Sequence, residues 1–295
     1  WEGAKHGKKV GPAQMNRRLV AVGDRVYATL GGEAPVSVLE AATGRVIRVL
    51  DRTAKAEEFL VSQGILVALV NDGDNASFWR SLKRNMRIIA LRPDSGEVLW
   101  EQTTETALPM TLTADGSQVV YHDGSVIRSF DLRTGAPHWI SPPTGQGVTL
   151  KDSWNPDRPG AGKMQIILAP QLAPTLLIYG DVVAFAGGRQ LNVVSAADGR
   201  ELWRVPYAAT NYSVPVDLFG FGGGIWGPDA GMNLWRPIDD DVSFKAYDPL
   251  TGTEAKSVTG RYGFRFQHHR CYQMKVVGST VLASRAGIEF LDTAT

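Results

Sequence analysis

In the run Gln267-His268-His269-Arg270-Cys271-Tyr272, histidines adjoin the only cysteine of the chain. If the run is extended, side chains alternate, so His269 and Cys271 share one side and His268 and Arg270 the other. A histidine next to a thiol suits half of a metal site, or a base beside a nucleophile. No third ligand or orienting acid can be placed from the sequence. Hydrogen-bonded polar residues lining a channel are the preferred reading. A second stretch, Asn71-Asp72-Gly73-Asp74-Asn75, opens like a calcium loop. It then fails, because Ala76 fills the fifth position and no glutamate stands at the twelfth. Turn-forming residues account for it better. Nearby, Phe78-Trp79-Arg80 and Arg84, and further on Trp235, offer rings and guanidinium groups that could cover a ligand or seal a loop. The candidate ligand-binding set is therefore His268, His269, Arg270, Cys271, Trp79, Arg80, Arg84 and Trp235. No residue is given a catalytic or metal-binding role.

Those residues need a scaffold, and the sequence shows one by repeating itself. Asp131-Leu-Arg-Thr134-Gly135-Ala-Pro-His-Trp139 recurs as Arg92-Pro-Asp94-Ser95-Gly96-Glu-Val-Leu-Trp100 and as Ser195-Ala-Ala-Asp198-Gly199-Arg-Glu-Leu-Trp203. Weaker copies stand at Glu40-Ala-Ala-Thr43-Gly44 and Asp248-Pro-Leu-Thr251-Gly252, and a sixth begins at Asp292. Each joins an apolar strand end, a polar turn and a second strand. The first side chain can accept from the turn's own amides, and the glycine takes a positive φ at no steric cost. A short hairpin with a bulge at the glycine is expected. Trp100, Trp139 and Trp203 should be buried on outermost strands against neighbouring units, with Arg48 and Lys256 in their place elsewhere.

The glycines at 44, 96, 135, 199 and 252 lie 52, 39, 64 and 53 residues apart. A period near 40–50 residues with four short strands signals a β-propeller blade. The expected fold is all-β, with antiparallel blades of four strands over 18–51, 57–103, 109–141, 174–206, 212–259 and 271–295. Five are complete, and the sixth lacks its last strand. Because the chain starts at Trp1 and stops inside a repeat, it reads as part of a seven- or eight-bladed propeller. Unpaired strand edges would then favour self-association. In an alternative, the strand at Trp1 completes the sixth blade and closes a six-bladed ring.

The Asp-x-x-Thr-Gly-x-x-x-Trp pattern resembles the repeat of PQQ-type (pyrroloquinoline quinone) propellers, the BamB-like and quinoprotein alcohol dehydrogenase-like family. The resemblance runs over nearly the whole chain and implies the propeller fold and a bacterial, periplasmic or extracytoplasmic protein. The dehydrogenases of the family use PQQ, a bound calcium, paired adjacent cysteines and a catalytic aspartate. With Cys271 alone the chain lacks the pair, so PQQ with calcium is kept as an alternative only. The stretch from His268 to Asp292 is also similar to large multidomain PQQ-repeat proteins.

Composition narrows the partners. A net charge of +1 provides no field for nucleic acid, and the longest apolar run, Ile65–Val70, is far too short to cross a bilayer. In an antiparallel blade with strands A to D, the A–B and C–D turns share one end while the B–C and D–A connections share the other. All the tight turns fall in the first set. The long insertions 71–86, 141–172, 228–241 and 260–270 fall in the second, bringing Trp154, Asp239 and Asp240 with them. Insertions gathered on one face of a repeat protein commonly mark its binding face. The expected module binds a small molecule or peptide on that face and docks against other blades or domains of its parent. A quinoprotein-type oxidoreductase and a non-catalytic scaffold are the rival readings.

Overall fold

The computed structural model describes residues 18–72, 85–108, 110–144, 175–187, 190–207, 218–228, 242–260, 275–284 and 288–294. They fall into two compact units. One runs to Gly124 and includes Arg128–Trp139; the other holds Ser125–Ile127, Ile140–Thr149 and the chain from Ser153 on. Strands build both, and no α-helix occurs among the described residues.

The first unit carries three antiparallel meanders. Sheet 1 is β1 (Leu19–Val22), β2 (Arg25–Thr29), β3 (Val36–Glu40) and β4 (Val46–Leu50), followed by a 3₁₀ turn at Asp51–Thr53. Sheet 2 is β5 (Ala56–Ser62), β6 (Ile65–Asn71), β7 (Met86–Leu91) and β8 (Val98–Thr104). Sheet 3 is β9 (Thr113–Ala114), β10 (Gln118–His122), β11 (Ile127–Asp131) and β12 (Pro137–Ile140). The second unit carries sheet 4, made of β13 (Thr175–Tyr179), β14 (Val182–Gly187), β15 (Gln190–Ser195) and β16 (Glu201–Pro206). Sheet 5 is β17 (Phe219–Phe221), β18 (Gly224–Pro228), β19 (Val242–Tyr247) and β20 (Glu254–Gly260). Sheet 6 has three strands, β21 (Lys275–Val277), β22 (Thr280–Ser284) and β23 (Ile288–Asp292). Among the described residues these are five four-stranded antiparallel sheets and one of three strands, as the repeat leads one to expect.

The C–D turns are copies of one hydrogen-bonded unit. In sheets 1 to 5 the glycine N–H returns to the carbonyl of Glu40, Arg92, Asp131, Ser195 or Asp248, at 2.8–3.0 Å. Each of those residues donates its own N–H five residues ahead, at 2.8–2.9 Å. The acidic side chains do the work foreseen for them: Asp131 Oδ1 accepts from the amides of Arg133 and Thr134 and from the Thr134 hydroxyl. Asp248 repeats this with Leu250 and Thr251. These donors hold both carboxyls below the usual range, led by the Thr134 hydroxyl for Asp131 and the Thr251 amide for Asp248.

The residue after the turn's first position ties the two turns of a sheet together. Ala41, Leu132, Ala196 and Thr293 donate to the A–B turn carbonyls of Asp24, Ser117, Asp181 and Ser279, at 2.8–2.9 Å. In sheets 2 and 5 that position is Pro93 or Pro249, which has no N–H to give.

The same position receives the outer-strand tryptophan of the preceding blade. Trp100 Nε1–H donates to Leu132 O at 2.8 Å, and Trp203 Nε1–H to Pro249 O at 2.8 Å. Where lysine replaces tryptophan, Lys256 Nζ reaches the equivalent carbonyl, Thr293 O, at 2.7 Å. The indole ring lies flat on the turn glycine. A Cβ placed on Gly135 would stand 2.7 Å from the Trp100 ring, and one on Gly252 would stand 2.6 Å from Trp203. Trp100, Trp139 and Trp203 are 7%, 8% and 8% exposed. Behind the rings, Val67, Leu69, Met86 and Ile88 of sheet 2 pack on Leu112, Val119 and Tyr121 of sheet 3. Tyr27, Val36 and Val38 of sheet 1 pack on Leu66, Ala68 and Val70 of sheet 2.

One expectation is corrected. The bulge is not at the glycine. The register slips three residues later, passing over Ile47, Leu99, Leu202 and Ala255, and so sets Arg48, Trp100, Trp203 and Lys256 opposite Val38, Ala90, Val193 and Ala246. The extra residue turns the next side chain toward the adjoining blade. Strand β9 is short, Thr113–Ala114, because the Thr111 hydroxyl takes the amide of His122. The described first strand of sheet 5 begins at Phe219, and 208–217 lie outside the described residues.

The contact makes two predictions. Trp100→Ala or Trp203→Ala should lower stability by about 3–5 kcal/mol, as large core truncations do. Gly44 and Gly135 both have φ +71, but the position of a Cβ on Gly44 is open whereas that on Gly135 meets Trp100. Gly44→Ala should therefore cost about 1–2 kcal/mol of backbone strain, and Gly135→Ala clearly more, by denaturant titration.

Candidate functional site

The described polar chemistry of the first unit gathers at the end of its sheets where the B–C and D–A connections leave. Strand β5 opens with Ala56-Glu57-Glu58 inside an otherwise apolar run. The register with β6 shifts between Ala56 and Glu58, leaving Glu57 in a bulge. Glu57 and Glu58 are both buried. Such charges need partners. Asn71, the last residue of β6, donates Nδ2–H to Glu57 Oε1 at 2.8 Å. Met110 donates its amide to Glu58 Oε2 at 3.0 Å. Arg18 donates Nε–H to Glu57 O and Nη1–H to Gly32 O, both at 3.3 Å. Burial pulls the Arg18 guanidinium below its usual value, against the attraction of Glu57.

Two residues here take a left-handed backbone without being glycine: Lys55 at φ 64 and Met110 at φ 65. Lys55 stands two residues before buried Glu57, and Met110 immediately before buried Thr111. The Lys55 carbonyl accepts from Asn71 N at 3.3 Å, and Met110 N is the Glu58 donor.

Buried hydroxyls close the same end. Thr53 Oγ1 accepts from Val36 N at 2.8 Å and donates to Leu50 O at 2.7 Å. Ser141 Oγ does the same for Ile127 N, and Thr111 Oγ1 for His122 N. His122, fully buried at the end of β10, accepts from Gly124 N–H on Nδ1 at 2.9 Å. That nitrogen must be unprotonated, and burial pushes the imidazole down to about 4.

Nearer solvent, Arg87 of β7 is held between Asp72 and Glu101, with Nη2 at 3.2 Å from Asp72 Oδ1 and Nη1 at 3.3 Å from Glu101 Oε2. Arg52 joins from the 3₁₀ turn, its Nη2 at 2.6 Å from Glu101 Oε2. The bond to Asp72 is the first cause that raises Arg87 above its usual value. Among the described residues, no group of three or more His, Cys, Asp or Glu could hold a metal ion. The arrangement anchors the roots of a loop by hydrogen bonds and ion pairs.

The residues singled out from the sequence, His268, His269, Arg270, Cys271, Trp79, Arg80, Arg84 and Trp235, lie outside the described residues, as do Trp154, Asp239 and Asp240. The described ends of their connections are where the topology requires. The chain leaves β6 at Asn71 and re-enters β7 at Met86, leaves β18 at Pro228 and re-enters β19 at Val242, and passes from β20 at Gly260 to β21 at Lys275. Sequence reasoning misses the Glu57–Glu58–Asn71 cluster because two adjacent glutamates read as a polar loop before the apolar strand. Paired glutamates before Phe-Leu-Val were the available signal.

Residues 81–220 match the family model described as outer membrane protein assembly factor BamB. The outer membrane protein assembly factor BamB of Burkholderia pseudomallei (strain K96243) is 24% identical over 240 residues, 73% of this chain and 56% of that protein. The chain thus spans about half the length of that relative. Among solved structures, the computationally designed Ika8 protein superposes with a TM-score of 0.60 at 14% identity, over 97% of this chain and 73% of the other. BamB from Moraxella catarrhalis does so with a TM-score of 0.53 at 16% identity, over 92% and 68%. These superpositions speak for the fold alone. The chain has an all-β propeller fold of four-stranded antiparallel blades, and its repeats resemble those of PQQ-type, BamB-like propellers.

His122 gives the site a pH signature. A histidine whose folded pKa is depressed binds fewer protons than in the unfolded chain. Its contribution is complete above about 6.5 and is lost as pH falls from there to about 4. The full loss corresponds to about 3 kcal/mol. In chemical denaturation at stepped pH, His122→Gln should flatten that part of the profile.

Proposed function

We propose that this chain is a partner-binding propeller module of bacterial outer-membrane protein assembly, working outside the cytoplasm. The observation that carries the reading is the match of residues 81–220 to a protein named as an outer membrane protein assembly factor, with a 24% identical relative of the same name. The fold supports it. At one end of each sheet the turns are short, and in sheets 1, 3, 4 and 6 they are bonded to one another, leaving little to vary. The connections at the other end hold the length. On this reading His268, His269, Arg270, Cys271, Trp79, Arg80, Arg84 and Trp235 contact the partner's peptide chain through aromatic surface and a few charges. The looped end of the first unit supports such a role: its loop roots are fixed by buried carboxylates and by the Arg87 ion pairs.

A second contact is proposed with further blades of the parent protein. In sheet 6, Val276, Val281 and Leu291 pack against Trp226 and Phe244 of sheet 5. On the opposite face, Val277 and Phe290 are 66% and 70% exposed, and β23 has a single strand neighbour among the described residues. An apolar face and an open edge suit another blade.

The test is in the native envelope. After crosslinking, the tagged protein should co-purify components of the outer-membrane β-barrel assembly machinery, and its deletion should lower the level of outer-membrane β-barrel proteins. Retention of neither effect would end the reading. Adding PQQ with calcium should leave the melting temperature within about 1 °C; a saturable rise of several degrees would favour the quinoprotein alternative instead.

A further inference from the structure

The last strand of each four-stranded sheet is an edge, and natural proteins guard edges with charges, prolines or ion pairs. Four of the five carry a proline or an ion-paired residue here, and the fifth carries only a lone arginine. Strand β8 carries Glu101, bound to Arg52 and Arg87. Strand β12 begins with Pro137 and His138. Strand β16 holds the Glu201–Arg204 pair and ends in Pro206. Strand β20 has Glu254, paired with Lys245, and Lys256.

Strand β4 is different. Its sequence is Val46-Ile47-Arg48-Val49-Leu50, without proline or acid, and β3 is its one neighbour among the described residues. Val46, Ile47 and Val49 are 42%, 40% and 47% exposed. Arg48 is exposed at the centre and forms no ion pair among the described residues; its chain runs beside the next turn, where a Cβ placed on Gly96 would stand 3.9 Å from Arg48 Nη1.

We propose that β4 is a docking edge for an extended segment of another protein, one with alternating apolar residues and an acidic residue at its centre. The segment adds a fifth strand to sheet 1 by main-chain hydrogen bonds. Its apolar side chains cover Val46, Ile47 and Val49, and its carboxylate meets Arg48. The charge of Arg48 selects this occupant over a second copy. An antiparallel pair of β4 strands in the register that sets Val46 against Leu50 places Arg48 directly opposite Arg48, and like charges so placed are destabilising. The inference rests on the partner-binding reading and adds a surface and a partner chemistry to it.

The test uses the whole chain and a short fluorescein-labelled peptide of alternating valine and threonine with a central glutamate. Its counterpart has lysine in place of the glutamate. Fluorescence anisotropy should show the glutamate peptide binding at least about fivefold more tightly than the lysine peptide. Arg48→Glu should reverse that preference. Should Arg48→Glu melt early through loss of its contact at Gly96, Val49→Asp should weaken the glutamate peptide at an unchanged melting temperature. Hydrogen exchange should show new protection at 46–50. Equal affinity for both peptides, protection on another strand, or a dimer of the free chain that protects 46–50 would each overturn the proposal. The readout needs no assembly factor, so its failure leaves co-purification in the envelope standing, and failure there leaves peptide binding intact.

Discussion

One contact organises the chain: an outer-strand side chain lying flat on the turn glycine of the following blade and donating to the carbonyl three residues before it. Trp100 on Gly135 with Leu132 O, and Trp203 on Gly252 with Pro249 O, are the full versions. The contact needs three local choices at once. A positive-φ residue without a side chain must sit under the ring. A bulge must turn the donor toward the next blade. A hydrogen-bonded turn must aim its carbonyl outward. Hence the bulge falls at Leu99 and Leu202, immediately before the tryptophans. Lys256 shows that the carbonyl can be satisfied by an ammonium in place of an indole. The ring is what is lost, and with it the large apolar area that tryptophan buries.

The two ends of each sheet follow from this. At the docking end, turn geometry is dictated by the neighbouring blade, so residue types repeat and lengths hardly vary. At the other end the bonds between blades differ from one connection to the next, as with Arg18 to Glu57 O and the Met110 amide to Glu58, and each connection solves its own polar accounting. Thr53, Ser141 and Thr111 spend their hydroxyls on backbone amides, while Glu57 and Glu58 are met by Asn71 and the Met110 amide. Variation is tolerated there, which is the physical reason long insertions collect at that end.

That division decides what could be read in advance. The blade count, the C–D turns and the burial of Trp100, Trp139 and Trp203 were legible because repetition turns a weak local signal into a strong one. The offset between Gly96 and the bulge at Leu99 was not, because a bulge shows only in the pairing of two strands. The shortness of strand β9 is hidden for a similar reason: Met110-Thr-Leu-Thr113 has strand-like composition, but a threonine hydroxyl competes for the His122 amide. The buried carboxylates escaped notice because polarity alone reads as loop. The His268–Cys271 run and Trp79, Arg80, Arg84 and Trp235 stand in connections outside the described residues, where no repeat constrains them.

The central claim is that the tryptophan-on-glycine contact couples neighbouring blades. A double-mutant cycle with Trp100→Ala, Gly135→Ala and the double variant, in denaturant titrations, tests it directly. Removing the ring clears the space that a Cβ on Gly135 would enter. Gly135→Ala should therefore cost only its backbone strain, about 1–2 kcal/mol, in the Trp100→Ala background, and at least about 1 kcal/mol more in the native one. Equal costs in the two backgrounds would show the residues to be independent and would contradict the account.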